Sequence, residues 1–260
     1  MANKLSLKFI KSNFSDFISK LQDLASIEDV IKLKIENDTI LMYSMISNEV
    51  SVLALKNYIV NTSDYIENFT SEETFDFIIT SAGKFVKNLK FFNVDSPIKL
   101  DIIYKPLPED DTINHVRSAQ FSNGKLKISC VGGEEYKIKD ITKNVLKQKL
   151  NPKNSQWSFK ISKEDFGNIK KLCSINSEDK IVNINVNGGK VTLSEMGKWE
   201  LEVDTIDSKN ANLIFGKKYL SNINDDDDFI NFQVFTTFIL AVDNTSNFML
   251  SFEQTFEDED

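Results

Sequence analysis

The sequence predicts an α+β protein of two similar domains, each with two helices packed on antiparallel β-sheet. Three observations carry that prediction: apolar residues recur at helical spacing in four segments, period-two alternation marks hairpins, and the whole pattern appears twice.

The first repeat begins with a helix and a hairpin. Residues 10–44 overlay residues 161–195 at a constant offset of 151 with no gap. Ile10, Ile18, Leu21 and Leu24 meet Ile161, Ile169, Leu172 and Ile175. Ile31, Leu33 and Ile35 meet Val182, Ile184 and Val186, and Ile40 and Met42 meet Val191 and Leu193. Each copy reads as a helix (SNFSDFISKLQDL; SKEDFGNIKKLCSI) and then two alternating strands, IKLKI and ILMYS in one copy, IVNINV and KVTLS in the other. The turn between them holds ND or NGG.

A second correspondence, offset by 134, aligns Lys84, Phe85, Val86 and Leu89 with Lys218, Tyr219, Leu220 and Ile223. The helix-like segments 81–92 and 216–224 therefore form the second pair. Alternating strands precede them (TFDFIIT; ANLIF) and follow them (IKLDIIY; NFQVF). The expected organisation is a first domain over 1–140, a connector over 141–156 and a second domain over 157–260.

Composition narrows the function. With 41% hydrophobic and 27% charged residues, 4 prolines and 9 glycines, the chain reads as globular. Charged residues at positions 4, 8 and 11 interrupt the start, which holds no apolar run long enough for a signal peptide or membrane span; an intracellular protein is expected. Cys130 and Cys173 suit reduced core thiols, and His115 is the single histidine, so no zinc site is read. Nothing resembles GxSxG, a P-loop, GxGxxG or a histidine-centred cluster, so neither catalytic residues nor a cofactor are expected. Arg117 is the single arginine. Lysine cannot make the bidentate fork that reads guanine, so any nucleic-acid contact should ignore sequence.

The lysines are concentrated. In SAGKFVKNLKFF (81–92), Phe85, Val86, Leu89 and Phe92 gather on one helical side while Lys84, Lys87 and Lys90 fall on the other, with no acid. The other three segments hold Lys11 and Lys20; Lys163, Lys170 and Lys171; and Lys217 and Lys218. Against these ten lysines stand four acids, Asp16, Asp23, Glu164 and Asp165, in a chain of formal net charge -8. A positive helical face with a negative remainder is expected, as when one surface meets phosphates. The acid runs 225–228 and 257–260 read as solvated loop and tail.

Length, duplication, element order and charge layout together resemble the sliding clamps, or DNA polymerase processivity factors, of the two-domain PCNA-like type, with the phage branch most similar. The resemblance covers essentially the full chain and rests on no short signature. It implies a DNA clamp fold in which three chains close a six-domain ring around double-stranded DNA, with the ten lysines above facing the duplex. A homotrimer would tether DNA polymerase and a clamp loader through short peptides and, if phage-encoded, would act in the host cytoplasm.

Family layout further implies a partner-peptide pocket from Met42, Met45 and Ile46, with Val145 and Leu146 in the connector and Leu250 and Phe252 near the terminus. It implies subunit contacts by edge strands: KLKIS (125–129) or YKIK (136–139) on one side and KWELEV (198–203) on the other. Lys125 and Lys127, or Lys137 and Lys139, would then oppose Glu200 and Glu202, beside Lys198. Two other readings remain open: a single-stranded DNA-binding protein, given 20 phenylalanines, and a duplicated structural phage protein.

Overall fold

The computed structural model describes residues 3–48, 51–93, 95–108, 112–134, 137–175, 181–187, 190–195, 199–204, 211–224, 227–242, 246–251 and 253–254. The chain forms two compact units, residues 1–45 with 57–143, and residues 46–56 with 144–260.

The first unit begins β1 (Asn3–Phe9), α1 (Lys11–Ala25), β2 (Val30–Ile35), β3 (Thr39–Ser47) and β4 (Val52–Asn61). It continues with β5 (Thr74–Thr80), α2 (Ala82–Leu89), β6 (Ile98–Pro106), β7 (Ile113–Asn123) and β8 (Leu126–Val131). Strands run in the order β1-β6-β7-β5-β2-β3-β4, with β8 on β7. One edge of β7 is shared. Ile113–His115 run parallel to Thr74–Asp76 of β5, and Ser118–Asn123 pair antiparallel with β8. Gly124, with φ 61°, opens the two-residue turn into β8, where only glycine takes a left-handed φ without steric cost.

Both helices cover a single core. Phe14, Phe17, Ile18, Leu21 and Leu24 of α1 and Phe85, Val86 and Leu89 of α2 are buried in it, together with alternate residues of the strands. Phenylalanines dominate its centre: the ring of Phe9 lies 5.3 Å from Phe14 and 5.1 Å from Phe17, and Phe85 lies 5.7 Å from Phe121. The aromatic richness is thus largely spent on packing, each ring removing a large apolar area from water. Cys130 is free and buried at the margin of this core, and burial pushes its thiol up to about 11. Cys173 is half-buried.

The first turn of α2 is capped from elsewhere. Ser81, at φ 59°, makes no side-chain cap. Asp29 replaces it: its carboxylate accepts from the Gly83 N–H at 2.8 Å and its carbonyl from the Ala82 N–H at 3.0 Å. A carboxylate there also suits the positive end of the helix dipole.

Beyond β8 the backbone comes down onto the sheet. Gly132 N–H donates to the Arg117 carbonyl at 2.8 Å and Gly133 N–H to the Ile78 carbonyl at 2.7 Å. A Cβ on Gly132 would stand 2.0 Å from the Val116 carbonyl oxygen, so the approach requires glycine. Residues 137–143 then cross the sheet face opposite the helices. Lys32, Lys34 and Asp76 point to that face because Ile31, Leu33, Ile35, Phe75 and Phe77, their neighbours in the strands, point into the core. Lys32 lies 2.8 Å from Asp76, Lys34 lies 2.7 Å from Asp140, and Lys32 also pairs with Asp140. The Tyr43 hydroxyl donates to the Lys139 carbonyl at 3.0 Å and accepts from the Ile141 N–H at 3.1 Å. Lys143 closes the strap on Asp38 and Glu36, each at 3.2 Å. The strand expected at 136–139 is therefore corrected: Lys137 to Lys139 form no strand, because this stretch follows the strap with Ile138 buried.

The second unit comprises α3 (Lys143–Lys149), β9 (Trp157–Ser162), α4 (Lys163–Ile175), β10 (Ile181–Asn187), β11 (Lys190–Glu195) and β12 (Trp199–Asp204). It ends with β13 (Ala211–Gly216), β14 (Phe229–Val234), β15 (Phe238–Val242), β16 (Asn247–Ser251) and β17 (Glu253–Gln254). One sheet runs β16-β15-β14-β9 and another β12-β11-β10-β13-β17. Residues 46–56, from the hairpin between β3 and β4, group with this unit, where Ser251 donates to the Val52 carbonyl at 2.6 Å. Ser162 caps α4, accepting from the Asp165 N–H at 3.1 Å while donating to its carboxylate at 2.6 Å.

The element order of the first unit recurs, strand-helix-four strands-helical turn-strands. Val30 and Thr39 open β2 and β3; the offset of 151 carries them to Ile181 and Lys190, which open β10 and β11. The helix expected at 216–224 is corrected to a 3₁₀ segment, Lys217–Asn222. Six residues are too few to repay α-helix nucleation. The buried Leu220 and Ile223, three apart, align in a three-residue turn, and Ile223 N–H bonds the Leu220 carbonyl at 3.2 Å. Among the described residues no helix is long and apolar enough to cross a membrane.

Candidate nucleic-acid interface

In the first unit, α1 and α2 lie side by side on the same core, so their outward faces share one surface. The Lys90 ammonium on the turn that closes α2 bonds the Gln22 side chain of α1. Lys84, Lys87 and Lys90 are exposed along α2, three residues apart, and no acid interrupts residues 82–93. Lys87 in the last turn also complements the negative end of the helix dipole.

The two predicted lysines of α1 are less available. Lys11 is exposed but donates to the Asp95 carbonyl at 2.8 Å. Lys20 is half-buried, 2.5 Å from Asp16 and 5.5 Å from the Tyr58 ring. Burial raises the Asp16 carboxyl, but the bonds from Lys20 and Tyr65 outweigh it and hold the group below its ordinary 3.8. What α1 presents outward is mostly neutral: Ser12, Ser15, Ser19 and Gln22 are exposed at spacings of three and four. This stripe escaped a reading based on charge alone, yet hydroxyl and amide groups are ordinary partners of phosphate oxygens.

In the second unit, Lys163 and Lys171 on α4 are exposed, while Lys170 is half-buried with its ammonium 5.4 Å from the Phe166 ring. Lys217 and Lys218 lie on the 3₁₀ segment, their side chains outside the described set. The acid run 257–260 lies outside the described residues, as do Lys198 and Phe252.

The expected negative remainder is not uniform. On the sheet face opposite the helices, cross-strand register places Lys8 beside Lys99, Lys99 beside Ser122 and Ser122 beside Lys127. All three lysines are exposed. Lys4 and Lys8 find Asp101 and Glu67 at 3.2 and 2.6 Å, leaving the row positive. The acid excess belongs to other segments, such as 109–111 and 225–228, which counting by helix and remainder merged with this face.

The residues expected to line a peptide pocket divide between the two units. Met42 and Met45, an odd number of residues apart on β3, point to opposite sheet faces, and Met42 is wholly within the helix-side core. In the second unit Ile46 is half-buried, Val145 exposed, and Leu146 and Leu250 buried. Of the expected edges, β12 terminates its sheet, with exposed Glu200 and Glu202, and β8 is joined to β7 with Lys125 and Lys127 exposed. Glu202 already pairs with Lys190 on β11. Among the described residues no group of three or more His, Cys, Asp or Glu is placed to hold a metal ion.

Solved structures share this architecture. The PCNA2–PCNA3 complex from Sulfolobus tokodaii is similar over 96% of this chain and 99% of that chain, with TM-score 0.60 and 13% identity. The Helicobacter pylori beta clamp bound to a DNA ligase peptide is similar over 97% of this chain, with TM-score 0.65 and 14% identity. The DNA polymerase III subunit beta from Pseudomonas aeruginosa gives TM-score 0.64 and 10% identity over 98% of this chain. This chain spans 66% of each of those two bacterial chains. No protein-family model and no curated protein matches the sequence. At these identities the likeness establishes the fold, which is that of the sliding clamps.

Proposed function

We propose that the chain is a non-enzymatic sliding clamp that encircles duplex DNA without regard to sequence, confers processivity on a DNA polymerase and tethers replication proteins through short peptides. One observation carries the reading: α1 and α2 share a core and turn outward a surface with an acid-free lysine row on one helix and uncharged polar groups on the other. Such a surface attracts phosphates through counterion release, a force blind to base identity. Encirclement would then supply retention that weak contacts cannot. The burial of most phenylalanines in cores argues against a stacking platform for single strands.

In this reading three chains close a ring, with β8 of one subunit beside β12 of the next so that Lys125 and Lys127 meet Glu200 and Glu202. This puts two otherwise unpaired sheet edges to use. A clamp of the large-phage type, working in a host cytoplasm, is the corresponding biological setting.

The test is topological. Loaded on nicked circular DNA, the protein should stay bound at a salt concentration that releases it from the same DNA after linearisation. Equal release from both forms would overturn the proposal. Light scattering should give three times the 29.7 kDa chain mass.

A further inference from the structure

Phe91 is the outlier of the basic surface. It is 78% exposed, the highest value among the exposed large hydrophobic side chains described. Its position is held on both sides. Phe92 is buried and stacks on Phe14 at 6.1 Å, the Phe91 N–H bonds the Asn88 carbonyl at 3.1 Å, and Lys90 is tied to Gln22. With its neighbours anchored, the ring is presented to solvent directly after Lys90 and four residues after Lys87, both exposed.

The second copy of the sequence carries no such ring. At the offset of 134 that aligns the two helical segments, Lys90, Phe91 and Phe92 correspond to Asn224, Asp225 and Asp226. One copy therefore follows its helix with a cation and aromatics, the other with carboxylates. An exposed phenylalanine gains nothing from folding, whereas an aromatic face beside ammonium groups suits an unpaired nucleobase, which stacks on the ring while its phosphate meets the lysines.

We propose that Phe91 is a base-stacking residue, so that this surface prefers duplex DNA carrying an adjacent single-stranded segment over fully paired duplex. The inference rests on the clamp reading of the same surface and specifies which DNA structure it grips.

The experiment uses the full chain and three fluorescein-labelled probes in low salt: a blunt duplex, the same duplex with a single-stranded overhang, and the free single strand. Anisotropy should show the overhang duplex bound about tenfold more tightly than the blunt one, as expected for one stacked base. F91A should erase that preference while leaving blunt-duplex affinity intact, and F91W should retain it. A 2-aminopurine at the first unpaired position should change emission on binding to the wild type and not to F91A.

Unchanged binding of every probe by F91A, with K84E/K87E still weakening them all, would overturn the stacking role and leave the clamp reading standing. Loss of blunt-duplex affinity in F91A equal to the loss for the overhang would also overturn it. So would a change in oligomeric mass on F91A without any probe effect, since the ring would then contact protein. Insensitivity of all probes to K84E/K87E would overturn both proposals.

Discussion

The Asp140 carboxylate lies 2.7 Å from the Lys34 ammonium, although the two residues are 106 positions apart in sequence. It binds a lysine pair that is otherwise sealed, with Lys32 and Lys34 only 3% and 4% exposed, and it does so from a side chain that is itself 51% exposed. Burial pushes the neighbouring Asp76 carboxyl up, more than its two lysines pull it down. Burial acts on Asp140 in the same sense, but there the bonds from Lys32 and Lys34 prevail and hold the group below 3.8.

D140N should therefore destabilise the first unit, since two buried ammonium groups would share one carboxylate. Breaking a fully buried pair costs about 3–5 kcal/mol. Because water reaches Asp140, roughly 2 kcal/mol is expected. A carboxyl held low in the folded state stabilises fully above its ordinary value, and that contribution is lost as pH falls through the lowered one. Urea titrations should thus separate wild type from D140N at neutral pH and converge in strong acid. A constant gap across the range would refute the ionic account.

D29A should loosen α2 by removing the carboxylate that caps its first turn, at a cost of about 1 kcal/mol. Hydrogen exchange of the Gly83 and Phe85 amides should quicken while amides in α1 change little. D29N, which keeps an acceptor, should restore most of the protection.

K84E/K87E should leave thermal stability within about 0.5 kcal/mol of wild type, because both side chains are solvated. Duplex affinity should fall steeply. The slope of log affinity against log salt should shrink by about 2, from two lost phosphate contacts at roughly 0.9 each. Retained slope and affinity would show that α2 does not meet the backbone.

E200K/E202K should give monomers in sedimentation if β12 joins subunits. The substitutions leave the register of β12 on β11 intact, so secondary structure by circular dichroism should be preserved. An unchanged trimer would exclude this edge.

Much of the architecture was legible because alternation and helical spacing are local signals, and duplication doubled them. IKLKI and IVNINV could be placed as strands from the residues alone. The 3₁₀ segment Lys217–Asn222 reads from sequence as a longer helix because Leu220 and Ile223 fit both periodicities. Asp140 and Asp29 were invisible for another reason: each acts on residues far away in sequence, and a lone aspartate in a loop carries no pattern. At the candidate surface, charge counting treats Lys20 like the exposed Lys84, Lys87 and Lys90, although its partner Asp16 sits one helical turn away. It also passed over Ser12, Ser15, Ser19 and Gln22, which have no charge to count.

The strap of residues 137–143 bears on where the polypeptide can be nicked. Trypsin requires several residues of unbonded, extended backbone at its cleavage site, which the bonds of Lys139, Ile141 and Lys143 deny it. Lys153, exposed, past the end of α3 and in a turn of only three residues, is the better target. The amino-terminal fragment surviving limited digestion should accordingly carry the whole strap with it, and its measured mass would mark where the protected backbone stops.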